Sequence, residues 1–396
     1  MSGSNPDTYN FVVLSQNSWF GPWMNRQHLF SLIGREHNVL YSSGAWFTWD
    51  LRREFRRGVP FAGGWRECDN VNVLLAPFYW LRNLRVRRYD AWVMRRFCKR
   101  LQQRLSPGKK TVLYIFHPDY ADYIDYIDHD LLVFHAFDDY QRQAGFDETV
   151  AKNLQRLLVQ SDIVCAVSAN LQAQLASQSG RTVELVNNGV DYDRFTEQAV
   201  EPERISGIPH PRVGLLGNVN EKIDVQLLER LALARPDWHW IVIGGARNLE
   251  PAQIKAWSVL QGLSNVHLLG HQSHLMLPAY GQSMDCLLMC YRIDAALWTD
   301  AIYPLKLHEY LALGKPVVSS DIAAVREFSG LVNIANGEAQ WLAMLDEILA
   351  GLGSASGHYS MAMIEARQQV ARANQWSQRV DTLLDLVHQS MNKTRN

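Results

Sequence analysis

Short apolar runs alternate with helix-length amphipathic segments along this chain, and they do so twice over. That alternation constrains the fold more than any other feature. Phe11-Val-Val-Leu-Ser15 is followed by a loop containing Gly21 and Pro22, an amphipathic stretch from about Met24 to Arg35, and a strand at Asn38–Tyr41. Further strands are expected at Val71–Leu75, Thr111–Phe116, Leu131–Phe134, Ile163–Val167 and Val183–Leu185, with helices at Tyr89–Arg104, Val150–Gln160 and Ala169–Ser177. Asn188-Gly-Val-Asp191 reads as a turn, and Glu201 to Pro211, with three prolines and a glycine, reads as a linker. A second set then begins: strands at Arg212–Gly217, Trp240–Gly244, Val266–Leu269, Cys286–Met289 and Pro316–Ser319, with helices at Val225–Ala234 and Leu305–Leu313. A closing helix runs from Asn374 to Gln389. The expected class is α/β: two facing, Rossmann-like, doubly wound parallel sheets. Residues 1–200 would form the first domain, completed by a C-terminal helix at 376–396, and residues 201–375 the second. Ligands belong outside the carboxyl ends of the strands, in a cleft between the sheets.

Composition narrows the class. A chain of 396 residues suits two domains, and 47% hydrophobic with 20% charged residues excludes disorder and fibrous repeats. There is no apolar run long enough to span a membrane, and MSGSNPDTYN lacks the charged and apolar parts of a secretion signal. Five cysteines without CxxC spacing suit reduced thiols and give no zinc site, so a cytoplasmic protein is expected.

The near-zero net charge hides an asymmetry. Residues 1–104 hold 15 Arg and one Lys against seven acids, which is +9, and the remainder is −10. The same stretch holds seven of the 13 tryptophans: Trp19, Trp23, Trp46, Trp49, Trp65, Trp80 and Trp92. Arginine mixed with aromatic rings suits anionic lipid headgroups, hence an expected peripheral position on the inner face of the plasma membrane. Nucleic acid would attract the same cations, and a solvated basic face over an aromatic core is the plainer reading.

The most informative segment runs from Asp300 to Asp321. Pro304 is suited to the first turn of a helix, and the start of that helix is a ready anion site. Lys306 in the first turn adds a cation, and Glu309, three residues on, shares its face and can accept two hydroxyl hydrogen bonds from a ribose. Gly314 ends the helix. Taken alone, the segment is equally an amphipathic core helix with an exposed Lys and Glu.

The pattern Pro-x-Lys-Leu-x-Glu-Tyr-Leu-Ala-x-Gly-Lys-Pro-Val-Val-Ser resembles the donor-binding motif of family-4 (group 1) glycosyltransferases, especially the bacterial branch of teichuronic acid and exopolysaccharide transferases. Val167-Ser-Ala-Asn-Leu171, Asn187-Asn-Gly-Val-Asp191 with Phe195, Val213–Gly217, Pro236–Gly245, Val266–Gly270 and Trp376 fall in the family's order. The resemblance implies a GT-B fold and sugar transfer from a nucleotide-sugar donor to a saccharide or polyprenyl-diphosphate-linked acceptor. It further implies retention, with neither a metal nor a cofactor. It places Glu309 on the ribose and Tyr303, Pro304, Leu305 and Lys306 beside the diphosphate and sugar. Gly217 lies where the backbone nears the phosphates, and Gly244 and Gly245 line the nucleotide pocket.

On the acceptor side the resemblance implies the loop from Gln16 to Arg26, with Trp19, Gly21 and Arg26, together with His135 and Asp139. Asp138 resembles the family's acidic tip facing the cleft; Asp138, His117 and Asp300 are the candidate catalytic residues, and His117 and His135, at strand ends, are candidate acceptor contacts. Two departures stand out. The family's glutamate eight residues before the ribose glutamate is Ala301, so the adjacent Asp300 is the candidate for sugar hydroxyls. The family's Arg after the glycine is Asn218, and its Lys is Ile223 with Lys222 beside it, which leaves Lys306 to carry the diphosphate charge.

Competing readings are a nucleotide-sugar epimerase, which needs dedicated acid/base carboxylates, and an inactive nucleotide-sugar-binding protein, made thinkable by Ala301. A dinucleotide dehydrogenase is disfavoured because neither half has GxGxxG after its first strand. Nucleic acid is not an expected partner.

Overall fold

The computed structural model describes residues 8–47, 63–77, 79–143, 145–293 and 298–393. Trp49, and residues 394–396 of the expected closing helix, lie outside them. The central apolar runs become strands because they are covered on both faces, as parallel sheets require. β1 (Asn10–Leu14), for example, is buried along its whole length.

The N-terminal unit comprises residues Met1–Asn187 and Ser377–Asn396. Its strands are β1, β2 (Asn38–Ser42), β3 (Trp46–Phe47), β4 (Gly64–Cys68), β5 (Val71–Leu75), β6 (Leu81–Arg82), β7 (Thr111–Ile115), β8 (Leu131–Ala136), β9 (Ile163–Ala166) and β10 (Glu184–Leu185). The main sheet has the order β10-β9-β8-β7-β1-β2-β5-β4, and β3 pairs β6 separately. Chain order reverses between β1 and β7, a topological switch point. β4, the antiparallel edge strand, was not expected. Asp69 and Asn70 take positive φ (51° and 64°) between the paired Cys68 and Val71, so an Asp-Asn dipeptide closes a two-residue hairpin.

The C-terminal unit, Asn188–Trp376, carries β11 (Arg212–Leu216), β12 (His239–Ile243), β13 (Val266–Gly270), β14 (Cys286–Met289), β15 (Val317–Ser320) and β16 (Asn333–Ala335). Their order is β13-β12-β11-β14-β15-β16, all parallel, with the switch point between β11 and β14. Helices Pro251–Gly262, Gly337–Ala350 and Met361–Arg372 and strand β16 add to the expected set.

The division falls at Asn187/Asn188, whereas the prolines place it at 200/201. Side-chain hydrogen bonds explain the difference. Gln282 donates to the carbonyls of Phe195 and Glu197 and accepts from the amide of Ala199, while buried Arg212 pairs Glu201 at 2.6 Å. Residues 188–211 are thereby stitched into the second unit.

One buried ion pair organises the basic part of the N-terminal unit. Arg82 on β6 donates to Asp90 (2.9 and 3.2 Å) and to Asp122 (2.7 Å), and its guanidinium lies 4.9 Å from the Phe47 ring. Burial works against the charge, yet the bonds to Asp90 and Asp122 hold its pKa above the ordinary value. Asp90 opens the helix Arg87–Gln102 and also accepts from the Asn83 amide, so this pair sets where that helix begins. Asp90→Ala leaves a buried cation short of a partner and is expected to lower stability by about 3 kcal/mol in urea unfolding. The double variant R82M/D90L, with no charge to strand, should lose less than D90A.

Candidate functional site

In the C-terminal unit the helix Leu305–Ala312 starts at the carboxyl ends of β11 and β14, and a hydrogen-bonded latch puts it there. The Tyr310 hydroxyl accepts from the Leu216 amide (2.8 Å) and donates to the Leu216 carbonyl (3.2 Å), at the last residue of β11. Upstream, Asn188 donates to the Tyr303 carbonyl, and the Tyr303 hydroxyl and His308 Nε2 share a hydrogen bond of 2.8 Å. Pro304 is the N-cap, in extended conformation (ψ 134°), one residue before the helical turn in which it was expected.

Lys306 extends back over Gly217. A Cβ built on that glycine would lie 3.6 Å from the Lys306 Cε and Nζ, and the ammonium stands 5.6 Å from the centre of the Tyr291 ring. Gly217 (φ 109°) and Gly244 (φ 144°) meet backbone to backbone: a Cβ on Gly244 would fall 2.2 Å from the Gly217 carbonyl oxygen. The loops are also laced by Gly217 N–H to Ile243 O, Val219 N–H to Gly245 O and Arg247 N–H to Val219 O. The result is a side-chain-free floor beneath one ammonium, a geometry suited to a phosphate.

Lys306 and Glu309 are each half-buried, one turn apart. Burial pushes the Lys306 ammonium down to about 8, against the pull of Glu309, and pushes the Glu309 carboxyl up to about 7, against the pull of Lys306. No ion pair joins them among the described residues. Asn218 beside the floor accepts from Arg247 Nη2 at 3.4 Å.

The N-terminal unit gathers a second cluster at its own switch point, where β1 and β7 end. Arg26, fully buried in the first turn of the helix Asn25–Ile33, donates to the side chains of Asn17, Ser15 (3.0 Å) and Asn25 (3.2 Å), and among the described residues Nη2 has no hydrogen-bond partner. Its guanidinium sits 4.3 Å from the Phe137 ring and 5.3 Å from the Phe116 ring. Among the described residues no carboxylate pairs it; burial pulls its pKa below the ordinary value.

His117 Nδ1 faces the Asp119 amide (3.2 Å) and Gln16 Nε2 (3.1 Å), two donors, which assigns the ring proton to Nε2. Burial lowers His117 to about 4, so it is neutral at pH 7. His135, held by Tyr114 at 2.7 Å, is lowered by burial to about 3.

Residues 210–350 match the family described as group 1 glycosyl transferases. That stretch, in the C-terminal unit, is similar to group 1 glycosyl transferases. Over 243 residues it is 26% identical to TuaH of Bacillus subtilis (strain 168), assigned to teichuronic acid biosynthesis as a glycosyltransferase, covering 59% of this chain and 58% of that one. The chain thus spans less than two thirds of that relative's length.

Two solved structures share the fold at low identity. Anabaena Alr3699/HepE in complex with UDP and glucose has TM-score 0.69 and 15% identity, covering 96% of this chain and 100% of that one. Sucrose-phosphate synthase from Thermosynechococcus elongatus has TM-score 0.72 and 13% identity, covering 96% and 98%. The fold is GT-B.

Within the matched stretch the structure brings together Gly217, Asn218, Gly244, Gly245, Tyr303, Pro304, Leu305, Lys306 and Glu309. Lys222 lies in the adjoining loop, its carbonyl accepting from Arg292 N–H. Asp300 is exposed in the short turn Trp298–Ala301, while Ala301 is buried.

In the N-terminal unit, Arg26, His117, His135 and Asp138 share the β1/β7/β8 end. Trp19 is buried, donating to Asp69 (3.0 Å) with its ring edge-on to Tyr41, so it supports its loop from inside. Gly21 closes a turn onto the Ser18 carbonyl (3.1 Å). Asp139 is occupied locally, accepting from Gln141 N–H (3.1 Å) and pairing Arg142 (3.4 Å). Sequence reasoning missed Tyr310, Tyr291, Arg247 and the Asn188 side chain. Tyr310 stands inside the quoted motif, but nothing in its spacing shows that its hydroxyl bonds a strand end.

Two outcomes follow from this geometry. Gly244→Ala should lose roughly 2 kcal/mol in urea unfolding, because neither the positive φ nor the 2.2 Å approach tolerates a methyl group. Folded Glu309 keeps its proton to about pH 7 rather than 4.5, so its contribution to stability falls as pH rises through that window. Folded Lys306 loses its proton near 8 rather than 10.5, so its contribution rises with pH between those values. Glu309→Gln should therefore erase the decline between about pH 4.5 and 7, read as the difference between wild-type and variant urea midpoints across pH.

Proposed function

We propose that this protein transfers a hexosyl group from a nucleotide-sugar donor to a saccharide or polyprenyl-diphosphate-linked saccharide acceptor in bacterial surface polysaccharide biosynthesis, with retention. The observation that carries the reading is the Lys306–Glu309 face of a helix whose start is latched against a glycine floor. One ammonium and several N–H groups meet the diphosphate, and one carboxylate takes the ribose hydroxyls. UDP and glucose in the Anabaena complex and the teichuronic acid assignment of the Bacillus relative support the donor class and the product class respectively.

In the proposed reaction the bond between the anomeric carbon and the diphosphate oxygen breaks. The acceptor oxygen then bonds that carbon on the same face, and its proton passes to the departing phosphate oxygen. The developing charge falls on Lys306 and the helix start, so the step needs neither a metal nor a cofactor. Asp300 contacts the donor sugar. Asp138 and neutral His117, whose Nε2–H can donate, contact the acceptor, and Arg26 with Gly21, Trp19, His135 and Asp139 shapes that side. A cytoplasmic position with peripheral membrane contact through the basic first third belongs to the same reading.

Thermal stabilisation by UDP-, GDP- and dTDP-sugars identifies the donor, since a ligand bound only by the folded chain raises the melting point. Lys306→Ala should lower kcat about 100-fold and Glu309→Ala should abolish donor stabilisation. Free epimerised sugar formed without acceptor would replace the proposal by an epimerase. Donor stabilisation without turnover on any acceptor would leave a binding protein.

A further inference from the structure

We infer that the outward face of the helix Arg87–Gln102, with the segment leading into it, docks on the anionic headgroup layer of a phospholipid bilayer. From residue 84 to residue 100 every exposed side chain is either a cation or apolar: six arginines, Lys99, and Leu84, Val86, Tyr89 and Trp92. The single acid of that stretch, Asp90, is turned inward onto Arg82. Arg88, Trp92, Arg95 and Lys99 recur at helical spacing along the outer stripe, while Val93, Met94, Phe97 and Leu101 are buried opposite. The anchored inner face fixes which side is presented.

The apolar exposure is concentrated. Among the described residues, five of the seventeen exposed large hydrophobic ones fall between Tyr79 and Trp92, at 38–58% exposure. An apolar cluster ringed by cations matches an interfacial surface, with rings and aliphatic groups at the headgroup boundary and guanidinium groups on phosphates. It matches nucleic acid less well. Tyr89 and Trp92 already stack on each other (6.0 Å, 26°), Arg96 lies 5.1 Å from the Trp92 ring, and Leu84 and Val86 have no counterpart on a phosphate backbone. Among the described residues no helix is long and apolar enough to cross a membrane, so contact here is surface contact. The inference deepens the transferase reading, on which its biological purpose rests: the face would hold the protein where lipid-linked acceptors are presented.

The test is co-sedimentation of the full chain with phosphatidylcholine vesicles, with and without phosphatidylglycerol, at low and high salt, and with no sugar nucleotide present. Binding should require phosphatidylglycerol and be lost at high salt. R95E/R96E should weaken it more than about tenfold with an unchanged melting point. R95Q/R96Q, the milder second variant, should fall between that variant and wild type. Trp92→Ala should weaken binding severalfold while leaving its salt dependence. Equal binding to phosphatidylcholine alone, no binding to either vesicle, or unaltered binding by both paired Arg variants overturns the inference. Tighter binding to a DNA duplex than to phosphatidylglycerol vesicles overturns it in favour of nucleic acid. Because the assay contains no donor, its failure leaves the transferase reading standing, and the failure of turnover leaves this one standing.

Discussion

The two hydrogen bonds between the Tyr310 hydroxyl and the backbone of Leu216 hold the candidate site together. They spend both main-chain polar groups of the last residue of β11 on a helix rather than on water, which seats the start of that helix at the sheet's switch point. Lys306 then overlies Gly217 with no further adjustment. The segment before the helix is held independently, by Asn188 at the Tyr303 carbonyl and by His308 at the Tyr303 hydroxyl. Charged groups held this way are fixed in place in advance, which is where preorganised electrostatics gain their strength. The opposed pKa displacements of Lys306 and Glu309 are the reverse side of that arrangement: both charges are partly desolvated in advance.

Buried charge is treated in two ways in the N-terminal unit. Arg82 is surrounded by carboxylates, and its role is architectural: it fixes the beginning of a helix whose other side is left basic and aromatic. Arg26 donates to neutral oxygens and lies against ring faces, with the Asp138 carboxylate close enough to favour its charge, and two imidazoles near it are kept neutral by burial. Its guanidinium ties the end of β1 to the loop that follows, because Ser15 and Asn17 are both its acceptors. The first arrangement fixes a helix start; the second braces a loop at the end of the sheet.

Much of this was legible in advance. Strands such as Asn10–Leu14 and Thr111–Ile115 are recognisable because apolar runs of that length between amphipathic segments have few other uses. The Lys306 and Glu309 pair is legible because helical spacing alone places them on one face. The hairpin strand Gly64–Cys68 was not, since an edge strand reading Gly-Trp-Arg-Glu-Cys shows no buried face and its turn is Asp-Asn rather than a glycine dipeptide. Trp19 and Asp139 show the converse limit: the resemblance implied an acceptor-side position for both, and no local pattern shows that their side chains bond Asp69 and the Gln141 amide.

Sequence by itself determined the alternating α/β class, the charge asymmetry and the placing of Lys306 and Glu309 on one helical face, because these depend only on periodicity, composition and spacing along one helix. Tertiary structure decided where the chain divides, which glycines touch, and which of many basic and aromatic residues face outward. Those outcomes depend on contacts between residues far apart in the chain, Gln282 with Phe195, Gly217 with Gly244, Arg82 with Asp122, and no local pattern encodes which distant partner a side chain will find.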